Sequence, residues 1–123
     1  PAIRMSEYIY NMPTVMAAAD VIIGRAGAST CNEIGASGTP CILIPSPNVT
    51  NDHQMKNAKI LADRGGAVLL PEEEATGQRL YDEVAALIAD PQRTRQMSDT
   101  LRDLVVLDSA ERICHIIEEL AAK

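Results

Sequence analysis

Aromatic residues are almost missing from this sequence of 123 residues, which has three tyrosines and neither phenylalanine nor tryptophan. Proteins that bind single-stranded nucleic acid stack the bases on aromatic side chains, so this scarcity argues against that class of function. Basic residues are also few, and the net charge of −6 disfavours binding to a phosphate backbone. We therefore expect no nucleic-acid partner and a core built from aliphatic side chains.

Long apolar runs and metal-ligand patterns are absent as well. No stretch reaches the roughly 18 apolar residues that a membrane-spanning helix needs. Cys31, Cys41 and Cys114 lack metal-like spacing, and we expect them to be small buried side chains of a protein from a reducing cytosol. The sequence begins at Pro1, directly before a strand-like stretch, and we expect it to be a piece of a longer chain.

The acidic charge is concentrated in the second half of the sequence. Residues 1–70 contain five acidic and five basic residues, whereas residues 71–123 contain twelve acidic and six basic residues. We therefore expect an anionic ligand to bind the N-terminal half, and we interpret the acidic residues of the C-terminal half as a solvated surface.

Short apolar runs alternate with helical stretches through residues 1–70, the pattern of βα units around a parallel sheet. The predicted strands are Ile3–Ile9, Val21–Gly24, Cys41–Ile44 and Ala67–Leu70. The predicted helices are Met12–Ala19, Ser29–Ser37, which stops at Gly38, and Asp52–Arg64. The expected fold class is α/β, with residues 1–123 as a single partial domain whose residues 1–70 hold the site.

Residues 71–123 are predicted to be packing helices, because apolar residues recur there at helical spacing. One predicted helix begins at Asp90-Pro91, and the last one begins at Asp108, which forms a box-like pair with Glu111. His115 is expected to be structural. The three apolar stripes, each predicted to face the core, are Leu80, Val84, Leu87 and Ile88; Met97, Leu101, Leu104 and Val105; and Ile113, Ile116, Ile117 and Leu120.

The segment Gly24–Thr30 joins a predicted buried strand to a predicted helix. Its small residues allow a ligand to approach the backbone, and the helix that follows presents unpaired N–H groups at the edge where open α/β sheets bind ligands. Glu33 lies on the same helix face as Ser29, where a carboxylate can accept hydrogen bonds from two ribose hydroxyls. The alternatives are a tight turn that binds nothing and a glutamate that only complements the helix dipole.

A second polar loop, Pro45–Asp52, leads into the next predicted helix. Gln54 and Asn57 lie on one face of that helix, and their amides suit the hydroxyls of a sugar. Asn51 and Gln54 have the spacing of a capping box, so one alternative is that Gln54 caps the helix. The other is that His53 is a helix-start residue without a role. The sequence contains no paired carboxylates and no Ser/His/Asp arrangement that would form a complete catalytic site, and no metal site is expected.

These residues resemble the nucleotide-sugar half of the MurG family, bacterial N-acetylglucosaminyltransferases that convert lipid I to lipid II. The resemblance runs from about Ile3 to the C-terminus, and the combination of an Arg-Ala-Gly-Ala…Glu block with an Asp-His-Gln…Asn-Ala block is specific. Either block alone would indicate only the wider GT-B glycosyltransferases. Ser29 and Asn32 depart from the residues that are common in the family. The matching blocks are Tyr8-Ile9 with Met12, then 18–33, 38–45, 51–58 and 108–113.

The resemblance implies the Rossmann-like C-terminal domain of a GT-B fold, incomplete here, that binds UDP-GlcNAc without a cofactor or metal. By position, Ile9 would meet the uracil through its backbone, with Tyr8 beside the ring. Ala28, Ser29 and Thr30 would hold the diphosphate, Glu33 the ribose, and Gln54 with His53 the GlcNAc hydroxyls. Arg25 and Asn57 match positions that we expect to matter for activity.

The resemblance also implies that acceptor binding and the catalytic base belong to an N-terminal domain outside this sequence, so no catalytic residue is assigned. Lipid I would bind through that domain, and the full-length protein would associate peripherally with the cytoplasmic face of the plasma membrane. We expect the 123 residues alone to be inactive. The alternatives are a non-catalytic nucleotide-sugar-binding subunit of a split transferase, and a related GT-B glycosyltransferase or epimerase with another acceptor.

Overall fold

The computed structural model describes residues 12–46 and 53–121 and contains three strands and five α-helices in that part of the chain. The predicted strand Ile3–Ile9, with Tyr8 and Ile9, lies outside the described residues, as does Asn51. The elements are α1 Met12–Ala18, β1 Ile22–Gly24, α2 Ala28–Ser37, β2 Cys41–Leu43, α3 His53–Asp63, β3 Ala67–Leu69, a 3-10 helix Glu72–Glu74, α4 Gly77–Ile88 and α5 Pro91–Ala121.

The three strands form a parallel sheet in the order β1-β2-β3, as the alternation of strands and helices predicts. All three residues of β2 are completely buried. Since successive side chains of a strand point to opposite faces, Cys41 and Leu43 pack in one cluster with residues of α2, α3 and α5. Ile42 packs in a second cluster, with Leu87 of α4 and Met97 of α5. Helices therefore cover the central strand on both faces.

Helix α2 stops where the sequence predicts, at a glycine in the left-handed conformation. Gly38 has a φ of 66°, and its N–H donates to the Ile34 carbonyl at 2.9 Å, which satisfies one of the last carbonyls of the helix. Thr39 is buried, and its hydroxyl donates to the Met16 carbonyl at 2.7 Å. This bond ties the end of α1 to the start of the central strand.

The predicted start of a separate last helix at Asp108 is wrong, because α5 is one helix of 31 residues. No glycine or proline follows Pro91, so nothing in the sequence interrupts the hydrogen-bond ladder strongly enough to end the helix. The apolar stripe near its C-terminal end is also not a core face in this structure. Ile113, Ile116, Ile117 and Leu120 are 56–64% exposed, and Ile88 of α4 is similarly exposed.

The cysteines differ in exposure. Cys41 is completely buried and Cys31 is half-buried, but Cys114 is exposed, so the expectation of a buried thiol is wrong for Cys114. Cys114 lies on the same exposed portion of α5 as Ile113. Burial raises the pKa of the Cys41 thiol to about 12, and burial also raises the pKa of Cys31.

We predict that Ellman's reagent at pH 8 modifies Cys114 at least about tenfold faster than Cys31 and leaves Cys41 unmodified until the protein unfolds. Because the pKa of Cys41 lies near 12, raising the pH from 7 to 9 should leave this thiol protonated. Mass spectrometry of tryptic peptides measures each rate. Modification of Cys41 in the native protein at the rate of Cys114 would contradict the burial of β2.

Candidate functional site

The carboxyl ends of the three strands lie at one edge of the sheet, where the loops after β1 and β2 and the segment after β3 come together. Two hydrogen bonds continue the ladder beyond the strands themselves. The Ile44 N–H donates to the Gly24 carbonyl, and the Leu70 N–H donates to the Leu43 carbonyl, each at 2.9 Å. This is the edge at which open α/β sheets bind ligands.

The N-terminus of α2 lies at this edge and has no side-chain cap. Gly27, the residue before the helix, is extended, with φ −64° and ψ 152°, and it has no side chain to accept a hydrogen bond. The first intrahelical bond joins the Cys31 N–H to the Gly27 carbonyl at 2.9 Å. The N–H groups of Ala28, Ser29 and Thr30 therefore have no partner within the helix, an arrangement that favours an anion.

Asn57 of α3 fastens the loop that precedes this helix. Its Nδ2 donates to the carbonyl of Ala26 at 3.0 Å, and Ala26 is completely buried. The bond joins residues 31 positions apart and leaves Asn57 Oδ1 as an acceptor. Asn57 thus positions the backbone from which the N–H groups of α2 project.

Gln54 does the same for the loop after β2. Its Oε1 accepts a hydrogen bond from the Ser46 N–H at 2.8 Å, and the residue is half-buried. Because the carbonyl oxygen of the amide is engaged inside the protein, the Nε2 group is the part of Gln54 that can donate to a ligand. The predicted Asn51–Gln54 capping pair involves a residue outside the described part.

Arg25 extends from the end of β1 across the end of β2. Its Nη1 donates to the Ile44 carbonyl at 3.3 Å, and its Nη2 pairs with Glu72 Oε1 at 2.7 Å. Sequence reasoning missed Glu72, because the acidic residues of the C-terminal half were interpreted as solvated surface. Its place directly after a strand that ends at this edge is the one signal in the sequence that marks it.

The remaining candidates are exposed. Glu33 lies in the second turn of α2, and His53 is the first residue of α3. The structure therefore bonds Arg25, Gln54 and Asn57 each to a different backbone group at the edge where the α2 N-terminus lies. Glu33 lies one turn further along that helix. Tyr8 and Ile9 lie outside the described residues. Among the side chains that the structure describes, which leave out those of residues 105–112 and 115, no group of three or more His, Cys, Asp or Glu is arranged to hold a metal ion.

None of the helices in the described ranges combines the length and apolar character that crossing a bilayer requires.

A sequence model of the glycosyltransferase family 28 C-terminal domain matches residues 1–113. The chain belongs to this family. Two relatives of the family 28 domain are 44% identical over 117 residues (Halalkalibacterium halodurans) and 40% identical over 118 residues (Natranaerobius thermophilus). Both are named UDP-N-acetylglucosamine--N-acetylmuramyl-(pentapeptide) pyrophosphoryl-undecaprenol N-acetylglucosamine transferase. The matches cover 95% and 96% of this chain but 32% of each relative, so the chain spans about a third of their length.

Two solved glycosyltransferase structures superpose on this chain. MurG from Acinetobacter baumannii superposes with a TM-score of 0.76 at 26% identity, over 94% of this chain and 35% of that one. Spinosyn forosaminyltransferase SpnP gives a TM-score of 0.76 at 22% identity, over 100% of this chain and 32% of that one, a likeness of fold alone. The resemblance to the MurG family and the expected fold class, part of a GT-B C-terminal domain, are confirmed.

We predict that Asn57→Ala lowers the free energy of unfolding of the family 28 domain by about 1 kcal/mol, the typical contribution of one hydrogen bond. Exchange of the Cys31 amide hydrogen, which bonds to the Gly27 carbonyl, should also become faster, because the loop before α2 loses its attachment. Asn32→Ala is the matched control, since Asn32 is exposed on α2. Urea unfolding and hydrogen exchange measure both effects, and equal results for the two variants would contradict the positioning role of Asn57.

Proposed function

We propose that this chain is the donor-binding part of a MurG-type inverting transferase that moves N-acetylglucosamine from UDP-GlcNAc to lipid I and forms lipid II. The observation on which this rests is the uncapped N-terminus of α2, which lies beside Arg25 and the anchored amides of Gln54 and Asn57 in a family 28 domain. The names of the relatives supply the substrates. Those names also favour a transferase over a non-catalytic binding subunit or an epimerase.

The diphosphate of the donor would bind at the N-terminus of α2. The N–H groups of Ala28, Ser29 and Thr30 lack intrahelical partners and lie at the positive end of the helix dipole. Glu33 is exposed one turn further along, where its carboxylate would accept hydrogen bonds from the two ribose hydroxyls. Ile9, through its backbone, and Tyr8 would contact the uracil.

The hexose would lie toward α3. The bond from Ser46 engages Oε1 of Gln54 and leaves Nε2, which would donate to a sugar hydroxyl, and His53 precedes Gln54 at the exposed start of the helix. Asn57 retains Oδ1 as an acceptor while its Nδ2 holds the loop. A site that both donates to and accepts from the sugar suits a ligand with several hydroxyls.

In the transfer itself, an acceptor hydroxyl of lipid I would attack C1 of GlcNAc from the face opposite the diphosphate. The bond between C1 and the phosphate oxygen breaks, and the electron pair leaves with UDP. The N–H groups of α2 would stabilise this developing charge, so the step needs no metal or cofactor. The base that takes the hydroxyl proton, and the contacts to lipid I, would come from an N-terminal domain at the cytoplasmic face of the membrane.

Titration calorimetry of this chain with UDP and with UDP-GlcNAc tests the proposal. Glu33→Gln should make the binding free energy of both ligands less favourable by roughly 1–3 kcal/mol, the range for a lost charge-assisted hydrogen bond. Asp99→Asn, which removes the same charge from an exposed position on α5, is the control and should leave both affinities unchanged. An unchanged affinity in Glu33→Gln would reduce Glu33 to a residue that complements the helix dipole.

Gln54→Ala in the same titrations distinguishes contacts to the sugar from contacts to the nucleotide. UDP lacks the hexose, so this variant should weaken UDP-GlcNAc while UDP binding stays nearly unchanged. An equal loss of both ligands would mean that Gln54 acts through the loop held at Ser46 and does not contact the sugar.

A further inference from the structure

The guanidinium of Arg25 is held at two points along the candidate site. One terminal nitrogen donates to the Ile44 carbonyl at 3.3 Å, and the other pairs with the Glu72 carboxylate at 2.7 Å. Arg25 follows β1, Ile44 follows β2 and Glu72 follows β3. The side chain therefore lies across the carboxyl edge of the whole described sheet, with its far end fixed by Glu72.

This ion pair does little for the stability of the fold. The side chains of Arg25 and Glu72 are 50% and 41% exposed, and ion pairs that are so open to solvent contribute little to the free energy of unfolding. What the pair does change is the freedom of Arg25. A half-exposed arginine samples many rotamers, and anchoring both terminal nitrogens removes most of that freedom before a ligand arrives.

The two anchors leave donors on the guanidinium. An arginine has five N–H groups in a rigid plane, and the bonds to Ile44 and Glu72 engage two of them. The remaining N–H groups lie at the same edge as the α2 N-terminus, where oxygens of a phosphate or a sugar would accept from them. Fixing the plane of the guanidinium fixes the directions in which these donors point.

We propose that Glu72 is a positioning residue of the donor site, which acts by holding Arg25 in the orientation that contacts the phosphate or sugar oxygens of a nucleotide sugar. The inference rests on the proposed function and adds a residue outside the recognised motifs. Glu72 does not touch the ligand. Its own negative charge repels a diphosphate, so a loss of affinity on removing that charge is opposite to the direct electrostatic effect and indicates the lost orientation of Arg25.

The 3-10 helix supplies a matched control. Glu73 is the next residue, is exposed, and belongs to the same short helix, yet Arg25 pairs with Glu72 and not with Glu73. Glu72→Gln and Glu73→Gln remove the same charge one residue apart. A purely electrostatic effect would raise the affinity for an anionic ligand in both variants, whereas positioning predicts a loss in Glu72→Gln alone.

Calorimetric titration of the full 123-residue chain with UDP-GlcNAc and uridine tests the inference. Glu72→Gln should lower the affinity for UDP-GlcNAc about threefold to fivefold, as the coupling energy of an exposed ion pair implies. The affinity for uridine should stay unchanged. Glu73→Gln should not weaken UDP-GlcNAc, and Glu72→Asp, which keeps the carboxylate, should recover part of the loss. Glu72→Gln added to Arg25→Gln should have no further effect, because the residue that Glu72 orients is gone.

Each other outcome overturns the inference. A higher affinity in Glu72→Gln would mean that the pair competes with the ligand for Arg25, and equal losses in Glu72→Gln and Glu73→Gln would remove the specific role. Additive losses in the double variant would show that Glu72 acts independently of Arg25. If the unmodified chain binds UDP-GlcNAc but Glu72→Gln binds it equally well, only the positioning role fails. If the unmodified chain does not bind UDP-GlcNAc, the proposed function fails as well.

Discussion

The central strand β2 is completely buried, and this burial determines where the helices and the candidate site lie. All three residues of β2 are inaccessible to solvent, and such a strand is stable only when helices cover both of its faces. Helices α2 and α3 cross over between successive strands, so the neighbouring strands run parallel to β2 with their carboxyl ends at one edge. The N-terminus of α2 and the start of α3 lie at that edge as a consequence, so the position of the site follows from the packing of the core.

Three side chains then fix the loops of that edge to one another. Asn57 bonds the loop after β1, Gln54 bonds the loop after β2, and Arg25 joins the ends of β1, β2 and the segment after β3. Each uses part of its hydrogen-bonding capacity in these bonds, and under the proposed function the rest would bind the ligand. An amide or a guanidinium suits this double use, because its several donors and acceptors lie in one plane and point in different directions.

Local signals in the sequence were sufficient to predict the strands and helices that the structure describes between residues 12 and 70. Runs of β-branched residues predict the strands, and Gly38 predicts the end of α2, because these signals act over a few residues. Local signals misled at α5, where the box-like pair at Asp108 suggested a helix start. The helical spacing of its stripe predicts that Ile113 faces the core, and the small apolar side chain of Cys114 predicts that it is buried. Both are exposed, because burial depends on which elements lie nearby.

The sequence predicts at which edge of the sheet the candidate site lies, but it does not predict the hydrogen bonds and the ion pair of its side chains. Small residues after a buried strand and amides at the start of the next helix identify the edge and most of its side chains. Glu72 could not be predicted, because its partner Arg25 lies 47 positions away and the pairing depends on how β1 and β3 are placed around β2. The hydrogen bond between Gln54 and Ser46 could not be predicted either. Helical spacing assigns a side chain to a face of the helix but does not identify its hydrogen-bond partner.

The proposal places the diphosphate at the carboxyl edge of the sheet around β2. An NMR titration of the 123-residue chain with UDP, read from the amide chemical shifts, is the most direct test of that placement. We expect the largest shifts on adding UDP at the N–H groups of Ala28, Ser29 and Thr30, since these would donate to the phosphate oxygens. Shifts concentrated at the opposite edge of the sheet, around Thr39 and Arg102, or no saturable shifts at all, would contradict that placement.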